Sequence, residues 1–178
     1  FINSTKSKII TLIDSLIIYK EYLDSDKKNE NGQFYNRFLA VYQGQVVAQY
    51  DKRHLFSFAG EHESYTAGDK PCVFRFQGWD IAPFICYDLR FPAWLRKTML
   101  AEQSNIPQCM LFVANWPSVR IAAWDALLKA RAIENQCYVL ACGQGGVHEN
   151  GRRTWGHSML VNPWGEVENI LAEGEGVV

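Results

Sequence analysis

Three short apolar runs limit what this chain can fold into. Ile81–Ile85, broken only by Pro83, Cys109–Ala114 and Tyr138–Cys142 are each of strand length and nearly continuously apolar. A strand with no polar face has to be covered on both sides or lie against a layer of helices. The segments between the runs read as such helices. Pro92 suits a first helical position, and Trp94, Leu95, Thr98, Met99 and Ala101 form an apolar stripe that ends before Asn105-Ile106-Pro107. From about Ala122 to Asn135, residues Trp124, Leu127, Leu128, Arg131 and Ile133 gather towards one side. The pattern predicts an α/β protein of sandwich type. With 178 residues, 48% of them hydrophobic, a single domain can bury such a core without a staple.

The remaining segments are shorter and more polar. Residues 5–13 fit a helix end or a strand, and Leu16–Tyr19 reads as a strand. Phe34–Val41 and Val46–Tyr50 flank the turn Tyr42–Gln45, so these strands and the one at 16–19 form an antiparallel meander. Asp24–Gly32, polar and ending in Asn-Gly, is predicted to be an exposed hairpin loop. Phe58–Asp69 reads as a loop, Val73–Phe76 as a strand hairpinned onto Ile81–Ile85, and Gly143–Arg153 as a long loop. Trp155–Val161 leads into a strand, and Asn162-Pro163-Trp164-Gly165 turns the chain into another.

Several function classes are disfavoured. A formal charge of −1 gives no electrostatic case for nucleic acid or an anionic membrane. No apolar run is long enough to span a bilayer, and Phe1–Lys8 does not read as part of a signal peptide. Five cysteines without CxxC spacing suggest reduced thiols in a cytoplasmic protein, and His54, His62, His148 and His157 are too scattered for a metal site. No helical pattern follows Gly143–Gly146, which disfavours a nucleotide cradle, and no cofactor is implied. His157-Ser158 lacks a GxSxG context.

Chemistry concentrates around Cys86. The run Ile81–Ile85 delivers this thiol to a strand end, where it can attack a carbonyl carbon if a base takes its proton and a fixed donor holds the oxyanion. Lys52, at the end of an earlier strand, is read either as a solvated lysine or as the cation beside a thiolate. Glu61, in the cluster Glu61-His62-Glu63, is read as surface unless its loop folds over a pocket. Trp116 follows a buried strand and is placed either as a pocket wall or as core. Arg90 is either a clamp for a substrate carboxylate or a structural ion pair with Asp88 or Glu134.

In this order the motifs resemble the nitrilase (carbon–nitrogen hydrolase) superfamily, nearest to its omega-amidases. The resemblance rests on Tyr50–Phe56, Glu61, Ile85–Pro92, Asn115-Trp116-Pro117, Ala130–Gln136, Trp155–Ser158 and Val161–Glu166, and covers about residues 9–172. It implies a four-layer α-β-β-α sandwich, incomplete at both ends, with 1–178 as one partial domain. It further implies that Cys86 is the nucleophile, that Lys52 and the Tyr87 backbone N–H hold the oxyanion, and that Glu61 orients Lys52 or water. The expected substrate is a small omega-amide such as 2-oxoglutaramate or 2-oxosuccinamate. Another amide, an N-carbamoyl compound and a nitrile are the alternatives. The family's general-base glutamate has no counterpart before Phe34, since Glu21 sits beside a strand and Glu30 in the hairpin loop. The chain is therefore expected to be an internal portion of an enzyme, with an inactive fragment or pseudoenzyme as the non-enzymatic alternative. A homodimer through residues around 92–102 and 122–135 is also implied, with Trp94 and Trp124 as candidate contacts.

Overall fold

A computed structural model describes residues 9–13, 16–22, 32–101, 106–147, 151, 153–171 and 173. They fall into two compact units that divide after Lys70, and each is described by itself.

The first unit is the expected meander. Strands β1 (Ile9–Ile13), β2 (Leu16–Tyr22), β3 (Asn36–Tyr42) and β4 (Gln45–Asp51) form one antiparallel sheet in sequence order. Residues 9–13 thus take the strand alternative. β3 and β4 are joined by Gln43-Gly44, both at positive φ (49° and 78°). That is the backbone twist a two-residue hairpin needs, and Gly44 meets it without steric cost. On β3 the buried positions are Asn36, Phe38 and Ala40, the period of two expected of a half-covered strand. The region read as a loop at 58–69 carries a 3-10 turn, Ser57–Ala59, and a single helical turn, α1 (Glu61–Ser64), hinged at Gly60 with φ 72°. One turn is too short to show a helical period, which is why the sequence reads as loop. The expectation for residues 24–31 lies outside the described residues.

The second unit is built on the three apolar runs. β6 (Trp79–Ile85), β7 (Cys109–Ala114) and β8 (Tyr138–Gly143) pair in parallel, with β5 (Phe74–Phe76) antiparallel on one flank and β11 (Ser158–Val161) and β12 (Val167–Leu171) on the other. All six residues of β7, the middle parallel strand, are buried. Pro83 sits within β6 and is tolerated because β5 pairs only with residues 79–81, so that among the described residues Pro83 is paired on the β7 side alone. Phe84 and Phe112 stack across the β6–β7 pair at 5.3 Å.

The two crossover helices follow the expected segments. α2 (Pro92–Met99) starts on Pro92 and buries Trp94, Leu95, Thr98 and Met99. α3 (Ile121–Asn135) buries Trp124, Leu128, Arg131, Ala132 and Asn135. Ile133, assigned to that face from the sequence, is 54% exposed; it lies nine residues, or about two and a half turns, beyond Trp124, which places it opposite. Trp124 is wholly buried within the chain, its ring 5.2 Å from Trp116 and its Nε1 donating to His157 O at 3.0 Å, so it is not available as a partner contact.

The long loop expected at 143–153 also needs correction. Its ends pair as a short hairpin, β9 (Gly145–Val147) with β10 (Arg153–Trp155). Two glycines leave β9 without an alternating pattern to read. Gly143 shows why glycine is required where this segment leaves the sheet. A Cβ there would lie 1.6 Å from Gly156 O, while the Gly143 N–H donates to Ser158 Oγ at 3.1 Å. Gly143→Ala is expected to destabilise the fold by about 3 kcal/mol or more, because the clash is with backbone that cannot rotate away. Urea unfolding checks this, and a midpoint unchanged by the substitution would contradict the packing described.

Candidate active site

The candidate residues divide between the units. Lys52, at the end of β4, is 2% exposed and fixed at both backbone ends: its N–H donates to Asn36 O at 2.9 Å, and its carbonyl accepts from Gly68 N at 2.9 Å. Lys52 Nζ meets Glu61 Oε2 at 2.6 Å. The same oxygen accepts from the Phe56 N–H at 2.6 Å, and Glu61 Oε1 accepts from Asn36 Nδ2 at 2.5 Å. The solvated-lysine reading is therefore wrong for Lys52, and the surface reading is wrong for Glu61. Burial pushes the Glu61 carboxyl up, but the Lys52 charge and the hydrogen bonds from Lys52, Phe56 and Asn36 together hold it below its ordinary value.

Asn36 is a member of this cluster that sequence reasoning missed. Its signal was available: on the alternation of β3 it shares the inward face with Phe38 and Ala40. A polar side chain in that position needs a partner, and here the partner is Glu61.

In the second unit, β6 ends at Ile85 and Cys86 enters a 3-10 turn, Cys86–Arg90, with φ +48°. That left-handed backbone is unfavourable for a residue with a side chain and persists only where the surroundings enforce it. Two anchors enforce it. The Ile85 N–H donates to Asp88 Oδ2 at 3.2 Å, closing the turn from within. From α3, buried Arg131 donates to Leu89 O from Nε at 3.1 Å and from Nη2 at 2.8 Å, while its Nη1 donates to both Glu134 oxygens. Cys86 itself is half-buried.

Around this turn Tyr87 packs edge-on against Phe91 at 5.2 Å. Arg90 is exposed and its guanidinium lies 5.2 Å over the Trp116 ring. Glu134, one of the two partners suggested for Arg90, is instead held by Arg131. Trp116 is 4% exposed and donates from Nε1 to Arg120 O at 2.8 Å, so it is a core residue whose ring also supports Arg90.

The other thiols differ in kind. Burial, with Cys137 nearby, pushes Cys109 up to about 12, and burial pushes Cys137 to about 12 as well, so neither can act as a thiolate near neutrality. Ser158 Oγ is engaged with the Gly143 N–H, and His157 Nε2 faces Asp125 Oδ1 at 3.0 Å, as expected of structural roles. Among the described residues there is no group of three or more metal-ligating side chains, and no helix is long and apolar enough to cross a membrane.

A family model described as carbon–nitrogen hydrolase matches residues 7–178. The chain is 48% identical over 132 residues to omega-amidase YafV of Escherichia coli, covering 74% of this chain and 49% of that protein. It is 41% identical over 154 residues to 2-oxoglutaramate amidase of Bacillus subtilis, covering 84% and 56%. Among solved structures, a CN-hydrolase superfamily protein of Xanthomonas campestris with an arsenic adduct in its active site is 40% identical, with a TM-score of 0.78 over 85% of this chain and 57% of that one. The α/β sandwich fold is thus shared with known structures, and the chain spans about half the length of the curated relatives it matches.

The Glu61 cluster has a consequence for acid stability. A carboxyl held below its ordinary value of 4.5 contributes stability that is fully present above that value and is lost as pH falls through the lowered one. Glu61→Gln removes the titration. Unfolding measured from neutrality down through the acid range is expected to show a steeper loss for the unsubstituted protein than for the variant below about 4.5; parallel curves would contradict the assignment.

Proposed function

The chain belongs to the carbon–nitrogen hydrolase family, and on that premise we propose that the protein hydrolyses a small omega-amide, 2-oxoglutaramate or 2-oxosuccinamate, to the corresponding acid and ammonia. The observation that carries the reading is Cys86: a half-buried cysteine in left-handed backbone at the end of the parallel strand β6. The choice of substrate class draws on the likeness to proteins described as omega-amidase and 2-oxoglutaramate amidase. In this proposal residues 1–178 act as parts of one hydrolase domain.

A base takes the thiol proton and Cys86 Sγ attacks the amide carbon. Lys52 Nζ and the Tyr87 N–H hold the negative charge that forms on the carbonyl oxygen. The C–N bond breaks, nitrogen leaves as ammonia with a proton returned by the base, and the acyl group stays on sulfur as a thioester. Water, deprotonated by the same base, then attacks the thioester, releasing the acid and restoring the thiol.

Glu61 is a poor choice for that base. Its oxygens already accept from Lys52, Phe56 and Asn36, and its carboxyl is held in the ionised form. It acts instead by positioning Lys52. The base in this scheme is the glutamate that the family pattern places upstream of the lysine motif.

In the protein as its complete gene encodes it, Cys86→Ala is expected to lower ammonia release by at least about a thousandfold while leaving the fold intact. Undiminished release from the variant would sink the thioester scheme. Faster turnover of a nitrile or an N-carbamoyl amino acid than of 2-oxoglutaramate would overturn the choice of substrate class.

A further inference from the structure

The parallel strands β6, β7 and β8 end side by side, and the residues that follow their ends are the ones that matter. Ile85 pairs with Val113 and Val113 with Cys142; one step on, Ala114 pairs with Gly143. The next residues are Asn115 after β7 and Gln144 after β8, with the Gln144 N–H donating to Ala114 O at 2.9 Å. Cys86 follows Ile85 on the neighbouring strand. Ligands of parallel α/β sheets bind beyond such carboxyl ends.

Four buried side-chain oxygens have no hydrogen-bond partner among the described residues: Asn36 Oδ1, Asn115 Oδ1, Asp125 Oδ1 and Gln144 Oε1. Asp125 Oδ1 faces His157 Nε2 at 3.0 Å, and Asn36 Oδ1 belongs to the first unit, on a side chain whose Nδ2 donates to Glu61. The other two stand on adjoining strand ends, one strand and two strands from the nucleophile. Buried polar atoms are normally paired, and an amide oxygen can only accept. Each of these two oxygens can take a hydrogen-bond donor, and the two N–H bonds of one carboxamide would supply a matched pair.

We propose that Asn115 Oδ1 and Gln144 Oε1 accept the two N–H bonds of the scissile carboxamide of the substrate, and so make the site specific for a primary amide. Strand spacing supports the match. Neighbouring strands lie about 4.8 Å apart. Two acceptors about 2.9 Å from one NH2 nitrogen, along N–H bonds about 120° apart, stand about 5 Å from each other. The pair also disfavours the product, because a carboxylate would present oxygen to oxygen. This inference rests on the amidase reading above and deepens it.

The test uses near-isosteric apolar replacements, Asn115→Leu and Gln144→Met, in the protein as its complete gene encodes it. Each variant is compared on the amide and on the methyl ester of the same acid, which reach the same thioester but differ in the N–H donors. Each variant is expected to lose about tenfold or more in kcat/KM for the amide and to keep its ester activity within about threefold. Its Tm is expected not to fall, since no internal hydrogen bond is lost. Equal loss on both substrates, an unchanged amide rate, or a lowered Tm would overturn the assignment by giving these side chains a structural role or none. If the unsubstituted protein releases no ammonia from any small amide, the amidase reading itself fails, and this assignment falls with it.

Discussion

Arg131 holds the turn on which the proposed chemistry depends. Cys86 leaves its strand in left-handed backbone, and nothing in a cysteine favours that conformation. Beside the local Asp88 bond, the restraint comes from far along the chain, where a guanidinium buried on α3 donates twice to the Leu89 carbonyl and is itself braced by Glu134. Burying a guanidinium is costly unless its donors are satisfied, and here three of its nitrogens are engaged. The cation thus ties the Cys86 turn to α3, which packs on the parallel strands.

The Lys52 cluster follows a related logic with the charges reversed in role. A lysine at 2% exposure needs a counter-charge, and Glu61 supplies it from a helical turn entered through Gly60 at φ 72°. Asn36 and the Phe56 N–H then occupy the remaining capacity of the carboxylate. Lys52 is thus held in place by buried groups, as the role proposed for it, meeting charge as it develops, requires.

Much of this was legible in the sequence. The continuous apolar runs identified the central strands because a strand buried on both faces leaves no other pattern, and Pro92 marked the start of its helix. What failed to show has physical causes. Ile133 is apolar but half a turn off the buried stripe, and β9 is largely glycine. The helical turn at Glu61 is too short for a period. At the site, Cys86 and Lys52 stood out through motif context, whereas Asn36 and Gln144 did not. Asn36 bonds a carboxylate on a distant helical turn, and the Gln144 oxygen is left unpaired beyond a strand end, neither of which a local pattern records. Arg90 was readable as a substrate clamp or as half of a structural ion pair, and only the structure sets it over Trp116.

The central claim is that Cys86 carries the acyl group, and the most direct measurement is to catch it there. Protein from the complete gene would be mixed with 2-oxoglutaramate, quenched in acid during turnover, digested and mapped by mass spectrometry. The account requires an acyl adduct on the peptide containing Cys86 that disappears as substrate is consumed. Ammonia release with no adduct at Cys86, or with an adduct on Cys72 or another residue, would contradict it.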